Sequence, residues 1–331
     1  MTSNRDALDA LARARQTSSL NPPTVQDEPN AAPPPRHRVI VDTDAANEAD
    51  DQFAIVHALL SPTLDVRGVV AAHFGLRRSS TSLADSRAEI DRLLALLGDT
   101  TTRAVDGAET WIPDERTPID CEGARLMIEE AMAEDSPLSV LVLGPLSTVA
   151  SALLLEPRLV ERDLTVIWIG GPPYDDVLGR TGGDAGIEFN LSNDIAAANV
   201  VLASGVRVIQ VPESTYRMCS VGYHELREKI GEAGELGAYL VRQLIEWNDR
   251  WNRSAIERRS LGDSPAVGLV LNSGGGVIRR RPAPRFTDDG SLTDGVAGRT
   301  VDVVETFDTR YLFEDMFAKI RAFAGSGAIE G

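Results

Sequence analysis

One acidic stretch carries the residues most able to do chemistry. Residues 39–60, VIVDTDAANEADDQFAIVHALL, place four aspartates and a glutamate within ten positions, after an apolar β-branched run and before an apolar helix-like run. Asp42 and Asp44 fall at the end of a predicted strand, and Asp50 and Asp51 fall in the first turn of a predicted helix. A helix dipole offsets about one such carboxylate, by roughly 1 kcal/mol. Because several carboxylates converge, we expect a hard divalent cation, Ca²⁺ or Mg²⁺, held by oxygen ligands.

Other acidic motifs do not fit this spacing. An EF-hand requires glycine at its sixth position and glutamate at its twelfth, where this chain has Asn47 and Phe53. A phosphatase-type D-x-D-x-[T/V] pattern is broken by Ala46, and no phosphate-binding glycine loop, G-x-S-x-G or H-E-x-x-H sequence occurs. The remaining structural alternative is a helix N-terminus with solvated carboxylates, but capping alone would not require Asp42 and Asp44 as well.

The elements around this stretch alternate between strands and helices. Nearly continuous apolar runs predict strands at 38–43, 66–72, 138–144, 163–171 and 205–212. Helical patterns separate them, at 49–60, 80–97, 121–133, 147–155 and 194–203. This alternation predicts an α/β fold, a mainly parallel open sheet flanked by helices with a Rossmann-like core. Ligands of such sheets bind at the carboxyl ends of the strands, where the acidic stretch lies.

The rest of the chain extends this pattern. Helices are expected at 222–233 and 235–253, then a mixed region, then a last helix at 310–323. Residues 21–36 hold six prolines in sixteen positions, which is typical of an extended segment. We therefore predict a flexible arm at 1–37, one domain at 38–323 and a short tail at 324–331.

Composition limits the class of partner. The 331 residues include 50 acidic and 33 basic ones, for a net charge of −17, which disfavours a nucleic acid polymer as partner. Two distant cysteines, Cys121 and Cys219, and the lack of an export signal favour a reduced, cytoplasmic protein. No apolar run reaches the length of a membrane span, so no membrane association is expected.

Five segments in order resemble one family. The signature VDTDAANEADD is similar to the amino-terminal D-x-D and D-D pattern of the inosine–uridine-type nucleoside hydrolases, with a longer loop between the two acid pairs. VLGPLSTVASALL, VIWIGG, IEFNLSNDIAAANVVL and LGDSPAVGLVL resemble the family's later motifs. The resemblance covers most of 38–323 and implies a nucleoside hydrolase-like fold, a small-molecule nucleoside substrate, and a homodimer or homotetramer.

The resemblance also implies a set of site residues. Those implied to hold Ca²⁺ are Asp44, Asp51, Asp263 and the main-chain carbonyl of Leu143. Those implied to contact the nucleoside, with Asp50 on the ribose 2′- and 3′-hydroxyls, are Asn47, Asp50, Glu188 and Asn190. A late aspartate at a helix start would supply a further oxygen ligand for the cation expected at the acidic stretch.

Cleavage of an N-glycosidic bond passes through an oxocarbenium-like transition state and needs an activated water. Asp44 is our candidate for the general base, and direct attack by water would invert the anomeric carbon. Many members of the resembling family have a histidine before the late aspartate as leaving-group acid, where this chain has Gly262. His73, after the second strand, is the candidate replacement, with a structural role as the alternative.

Aromatic and cationic residues offer another way to hold the base. Trp247 and Trp251 lie four apart on one helix face, either against the nucleobase or as a packing pair. Arg258 and Arg259 follow shortly after and could stabilise the departing base. Two other functions remain open: hydrolysis of a modified or biosynthetic nucleoside, with loops 174–187 and 213–224 setting the choice, and nucleoside or sugar binding without catalysis.

Overall fold

The computed structural model describes residues 37–133, 135–174, 187–251 and 255–327, which belong to one compact unit, Pro34–Gly331. The predicted arm, residues 1–37, lies outside the described residues except for His37, which begins the first strand. Most of loop 174–187 also lies outside the described residues. The last helix runs to Gly327, so four residues of the predicted tail are helical and the rest lie outside the described residues.

Twelve strands and eleven helices are found within the described residues. In chain order the strands are β1 (His37–Thr43), β2 (Leu64–Ala71), β3 (Ala104–Asp106), β4 (Leu138–Val142), β5 (Leu164–Ile169), β6 (Arg207–Val211), β7 (Ser220–Gly222), β8 (Arg258–Ser260), β9 (Gly276–Pro282), β10 (Pro284–Phe286), β11 (Leu292–Asp294) and β12 (Thr300–Phe307). The helices are α1 (Asp51–Leu59), α2 (Ser82–Leu97), α3 (Glu122–Ala133), α4 (Ser147–Leu155), α5 (Phe189–Asn193), α6 (Ile195–Ser204), α7 (Glu213–Tyr216), α8 (Tyr223–Ile230), α9 (Gly234–Trp251), α10 (Ser264–Leu271) and α11 (Thr309–Gly327), and Pro157–Glu161 forms a 3₁₀ helix.

Eight strands form the central sheet, in the order β3-β2-β1-β4-β5-β6-β12-β9. Every neighbouring pair is parallel except β12 with β9. The prediction of a mainly parallel α/β sheet flanked by helices is therefore confirmed. Two antiparallel pairs, β7 with β8 and β10 with β11, lie outside this sheet.

Two apolar layers cover the sheet, because successive side chains of a strand point to opposite faces. Val39 and Val41 of β1 pack in the layer that includes α1, α2 and α8 to α11. Ile40 packs in the other layer, which includes α3 to α6. The central strands are therefore apolar on both faces, as their near-continuous apolar sequences predict.

Asp42 lies within β1, whereas Asp44 lies beyond the end of the strand. Asp42 lies two residues after Ile40 and therefore faces the α3–α6 layer, where it is fully buried and both carboxyl oxygens lack a hydrogen-bond partner among the described residues. Burial raises its pKa well above the usual value, so a neutral acid is favoured there. Asp42 thus does not join the carboxylates beyond the strand end.

The sequence pattern missed some elements at the sheet margins. β3 is only three residues long and β12 was included in the mixed region, although β12 pairs with both β6 and β9. No helix among the described residues combines the length and apolar composition that a membrane span needs.

Candidate active site

Four carboxylates meet where the chain leaves β1 and where two helices begin. Asp44 follows β1, Asp50 and Asp51 begin α1, and Asp263 precedes α10. Carboxylate oxygens of Asp50, Asp51 and Asp263 lie within 4.8 Å of one another. Asp44 is only 2% exposed and interacts electrostatically with Asp51 and Asp263. These four residues are called the acidic cluster below.

The acidic cluster is not explained by helix capping. Asp50 and Asp263 occupy the N-cap positions of α1 and α10, yet neither side chain accepts a capping hydrogen bond from its own helix. An N-cap aspartate ordinarily accepts from the second or third backbone N–H. Their carboxylates are available to the cluster instead, so the alternative of solvated capping acids does not fit the structure.

Few hydrogen-bond donors reach the cluster. Thr43 donates its hydroxyl to Asp51 Oδ1 at 2.6 Å, and the Gly262 amide donates to Asp50 Oδ2 at 2.8 Å. Oδ2 of Asp44 is buried and has no hydrogen-bond partner among the described residues. A buried polar atom without a partner costs about 1 to 3 kcal/mol, and more if it is charged.

Burial and mutual repulsion shift the titration of these acids. Burial raises the pKa of Asp50 to about 6 and that of Asp51 to about 7, and neighbouring carboxylates add to both shifts. The pKa values of Asp44 and Asp263 rise well above the usual range for the same reasons. A hard cation would reverse this trend, because it favours the ionised form of every ligand. The donor set therefore fits a divalent cation with oxygen ligands.

The main-chain carbonyl of Leu143 is the predicted backbone ligand. Leu143 follows β4, and its carbonyl oxygen accepts a hydrogen bond from Nδ2 of Asn190 at 2.7 Å. The next residue is Gly144, where an added Cβ would lie 3.0 Å from the Asp44 carboxyl carbon. Glycine at this position lets the chain after β4 pass close to Asp44, so Leu143 precedes a residue in contact with the cluster.

Asn190 lies beside the predicted ligand and retains one free acceptor function. Its Nδ2 donates to the carbonyls of Leu143 and Ile169, at 2.7 and 2.8 Å. Both amide hydrogens are thereby used, so Oδ1 can accept a hydrogen bond from a sugar hydroxyl. The predicted contact with the sugar is compatible with this geometry.

The Glu188 carboxylate already accepts four hydrogen bonds within the protein. As the N-cap of α5 it accepts from the backbone amides of Asn190 and Leu191, at 3.2 and 2.9 Å. The Gly171 amide and the Tyr216 hydroxyl donate to it at 2.8 and 2.9 Å. Burial raises its pKa, and these four donors act against that shift. A sugar hydroxyl would have to displace one of them, since a carboxylate offers about four acceptor sites.

His73 does not lie free above the acidic cluster. Its Nδ1 accepts from the Gly75 amide at 3.2 Å, and its Nε2 bonds to the Ser147 hydroxyl at 2.9 Å. Ser147 in turn donates to Asp194 at 2.7 Å. The ring is 1% exposed, and burial lowers its pKa to about 4. A neutral imidazole with both nitrogens bonded fits the structural role and gives no support to the predicted role as leaving-group acid.

A rim of charged and aromatic residues adjoins the cluster. Glu48 forms ion pairs with Arg259 and, at 3.6 Å, with Arg78. The Arg259 guanidinium lies 4.2 Å from the centre of the Trp247 ring, and that of Arg78 lies 4.2 Å from the centre of the Phe189 ring. A nitrogen of Arg259 is also 4.0 Å from Oδ1 of Asp50. This group, called the arginine–aromatic rim, joins the predicted base-binding tryptophan to the predicted sugar-binding aspartate.

Asn47 ties the rim to the acidic loop. Its side-chain oxygen accepts from Arg78, and its carbonyl accepts from Trp247 Nε1 at 3.1 Å. Trp251 packs near Trp247, with ring centres 6.3 Å apart, but is 61% exposed. The structure therefore brings Asn47 and Trp247 to the site and leaves Trp251 at its outer margin.

Sequence reasoning missed Thr43, Glu48, Arg78 and Tyr216 as neighbours of the site. Thr43 could have been predicted, because strand alternation places its side chain on the face opposite to that of Asp42. The same rule distinguishes the two arginines of β8: Arg258 is exposed and bonds to Ser220, whereas Arg259 faces the rim. Arg78 lies in a loop and Tyr216 ends the short helix α7, and the sequence pattern does not indicate that either residue reaches the site.

Comparison with known proteins agrees with this geometry. Residues 39–312 match the family model described as inosine-uridine preferring nucleoside hydrolase. A probable uridine nucleosidase 2 of Arabidopsis thaliana is 26% identical over 234 residues, which cover 65% of this chain and 70% of that protein. The pyrimidine-specific ribonucleoside hydrolase RihB of Escherichia coli O157:H7 is 23% identical over 72% of this chain and 80% of its own length.

Solved structures show the same fold. The plant nucleoside hydrolase PpNRh1 aligns with a TM-score of 0.69 and 18% identity, over 87% of this chain and all of that one. A purine-preferring ribonucleoside hydrolase from Gardnerella vaginalis also gives a TM-score of 0.69, over 87% of this chain and 99% of that one. Sequence match, fold and clustered carboxylates agree, and the chain belongs to the inosine-uridine preferring nucleoside hydrolase family, a family of N-glycosyl hydrolases that cleave ribonucleosides.

Proposed function

We propose that this nucleoside hydrolase is Ca²⁺-dependent and uses Asp44 as the general base. The observation that carries the proposal is the buried acidic cluster, whose carboxylates repel one another and receive few donors. Asp44, Asp51, Asp263 and the Leu143 carbonyl would hold the cation. Carboxylates together with a backbone carbonyl favour Ca²⁺, which takes six to eight oxygen ligands in a flexible arrangement.

The residues around the ion would have separate roles in catalysis and in substrate binding. When bound, such an ion supplies positive charge that keeps the carboxylates ionised, orients a sugar diol and acidifies water. Asp44 has a buried Oδ2 without a partner among the described residues, which can take the proton of the attacking water. Asp50 and Oδ1 of Asn190 would accept hydrogen bonds from the ribose hydroxyls and fix the anomeric carbon. Trp247 would lie against the base.

The bond changes are those of a single displacement. Water oxygen forms a bond to C1′ while the bond from C1′ to the base nitrogen breaks, and its electron pair stays on the base. Asp44 takes a proton from the water, and ribose and the base are released. Attack from the face opposite the base inverts the anomeric carbon, so the first product is α-ribose.

A ribose-release assay tests this proposal. Purified protein is incubated with uridine, cytidine, inosine and adenosine in Ca²⁺, after EDTA treatment, and after Ca²⁺ is restored. We expect release of ribose from at least one nucleoside, loss of it with EDTA and recovery with Ca²⁺, with the α-anomer seen first by proton NMR. Full turnover in protein shown by elemental analysis to be free of divalent cations would refute the dependence on Ca²⁺.

A further inference from the structure

Position 262 is a glycine, so it has no side chain that could protonate the departing base. An added Cβ on Gly262 would lie 3.0 Å from Cδ2 of Tyr216 and 3.3 Å from Oδ2 of Asp50. The Tyr216 ring and the Asp50 carboxylate therefore lie close against position 262 and would have to shift to admit a side chain. The Tyr216 hydroxyl itself donates to Glu188, and burial raises its pKa far above the usual value. His73 and Tyr216 are both held in hydrogen bonds within the protein. A group that stabilises the departing base by its charge, without donating a proton, is therefore the alternative.

Arg259 is the group that the geometry favours. Its guanidinium carbon lies over Trp247, 4.2 Å from the ring centre, and its side chain is 15% exposed. One terminal nitrogen pairs with Glu48 and is 4.0 Å from Asp50. Its Nε–H is buried and has no hydrogen-bond partner among the described residues. A fixed cation with an unused donor thus lies between the aromatic platform and the sugar-binding carboxylate.

Three carboxylates, those of Glu48, Asp50 and Asp263, act on Arg259, and two of them have a further partner. Glu48 is shared between Arg259 and Arg78, so two guanidinium groups flank one glutamate. Asp50 already receives the Gly262 amide on its other oxygen. A guanidinium is always protonated and weakly hydrated, so it serves as a fixed electrostatic partner and not as an acid.

We propose that Arg259, held over Trp247, stabilises the negative charge that develops on the base as the C1′–N bond breaks. This inference rests on the proposed function and specifies its leaving-group step. The electron pair of the broken bond stays on the base, which leaves as an anion and takes a proton from solvent afterwards.

The proposal is tested by comparing activity on substrates that have different leaving groups. Wild type, Arg259→Gln and Arg259→Lys are compared on uridine, inosine and 4-nitrophenyl β-ribofuranoside, whose phenolate leaves without assistance. The matched control is Arg258→Gln, which removes the neighbouring exposed arginine of the same strand. Thermal unfolding with and without Ca²⁺ is recorded for every variant, so that a folding defect is detected separately.

We expect Arg259→Gln to lower kcat/KM about 100-fold for uridine and inosine, as loss of one transition-state donor does, and less than about 3-fold for the nitrophenyl riboside. Arg259→Lys, which keeps the charge, should recover part of the loss, and Arg258→Gln should match wild type. The wild-type kcat/KM for uridine should not fall between about pH 7 and 8.5, because the guanidinium does not titrate there.

Three results would overturn the inference. Equal losses on both types of substrate would show that Arg259 only positions Asp50, and no loss on either would remove it from the site. A decline of kcat/KM above neutral pH would indicate a titrating acid. Wild-type protein that cleaves neither nucleosides nor the nitrophenyl riboside would refute the proposed function itself, which is a distinct outcome.

Discussion

The acidic cluster and the single carboxylate of Asp194 are both buried, but they differ in the number of hydrogen-bond donors that reach them. In the acidic cluster Asp44, Asp50, Asp51 and Asp263 face one another and receive few donors. By contrast, Asp194 accepts from the backbone amides of Ala197 and Ile112 and from Ser147. The cluster and Asp194 are both buried, and both have raised pKa values. What distinguishes the candidate cation site from a structural cap is the convergence of several carboxylates with few donors.

The difference in hydrogen-bond donors predicts that Asp194 serves stability and that the acidic cluster serves function. A carboxylate with three good donors stabilises the fold as it is, because its hydrogen bonds replace those to water. Converging carboxylates that lack donors destabilise the fold, and a bound cation would relieve that repulsion. The following predictions test the contrast, from the largest expected effect to the smallest.

Asp44→Asn should have the largest effect on activity. The amide cannot accept the proton of water, so turnover should slow by about 10³-fold or more, in the upper part of the range for general-base removal. The cation-free protein should be at least as stable as wild type, because one member of a repelling group is lost. Ribose release and thermal unfolding in EDTA measure the two effects. Asp91→Asn, an exposed acid on α2, is the control, and a variant that retains a tenth of the activity would exclude Asp44 as the base.

Asp194→Ala should mainly reduce stability. It removes the cap of α6 and leaves the Ile112 amide and the Ser147 hydroxyl without their acceptor, at a cost of about 3 kcal/mol. Urea unfolding measures the loss, with Asp91→Ala as the exposed counterpart. Activity per folded molecule should change less than about 3-fold, and a large loss of activity at unchanged stability would reverse the assignment of the two carboxylate sets.

The pH dependence of the cation-free protein should show the repulsion directly. The folded-state pKa values of Asp50 and Asp51, about 6 and about 7, lie above the unfolded value, so the folded state binds more protons. The stability that this supplies is present below about pH 4 and is lost as pH rises through 6 and 7. In EDTA the Tm should therefore fall by at least about 2 °C from pH 5 to pH 8. Excess Ca²⁺ should largely remove that fall, and a rising Tm in EDTA would contradict the prediction.

His73→Gln should have the smallest effect on turnover. Because the ring only links Gly75 to Ser147, we expect a loss of about 1 to 2 kcal/mol of stability, while the turnover rate changes less than about 3-fold. A double-mutant cycle with Ser147→Ala should show that the two share one hydrogen bond. If turnover instead slowed by about 100-fold at unchanged stability, as loss of a general acid does, His73 would be restored as the leaving-group acid.

Much of the fold followed from sequence periodicity, because buried parallel strands and amphipathic helices have distinct patterns. The five predicted strands and the helix at 147–155 agree closely with the structure. β12 was not recognised, since its run TVDVVETF mixes charged and apolar residues at the margin of the sheet. Short β3 likewise carries too few residues for a pattern.

The site was predictable in part for a similar reason. Asp44, Asp50 and Asp51 are close in sequence, and Asp263 came from the family resemblance. The engagement of His73 and Glu188 was not predictable, because their partners Ser147 and Tyr216 are distant along the chain.

The sequence alone determined that acidic residues gather at a strand end and a helix start, since those signals depend on neighbours along the chain. Only the tertiary structure decided which buried carboxylates receive hydrogen-bond donors and that Arg259 lies over Trp247. Hydrogen bonding and desolvation depend on three-dimensional distance, and a one-dimensional pattern contains that distance only for residues within the same element.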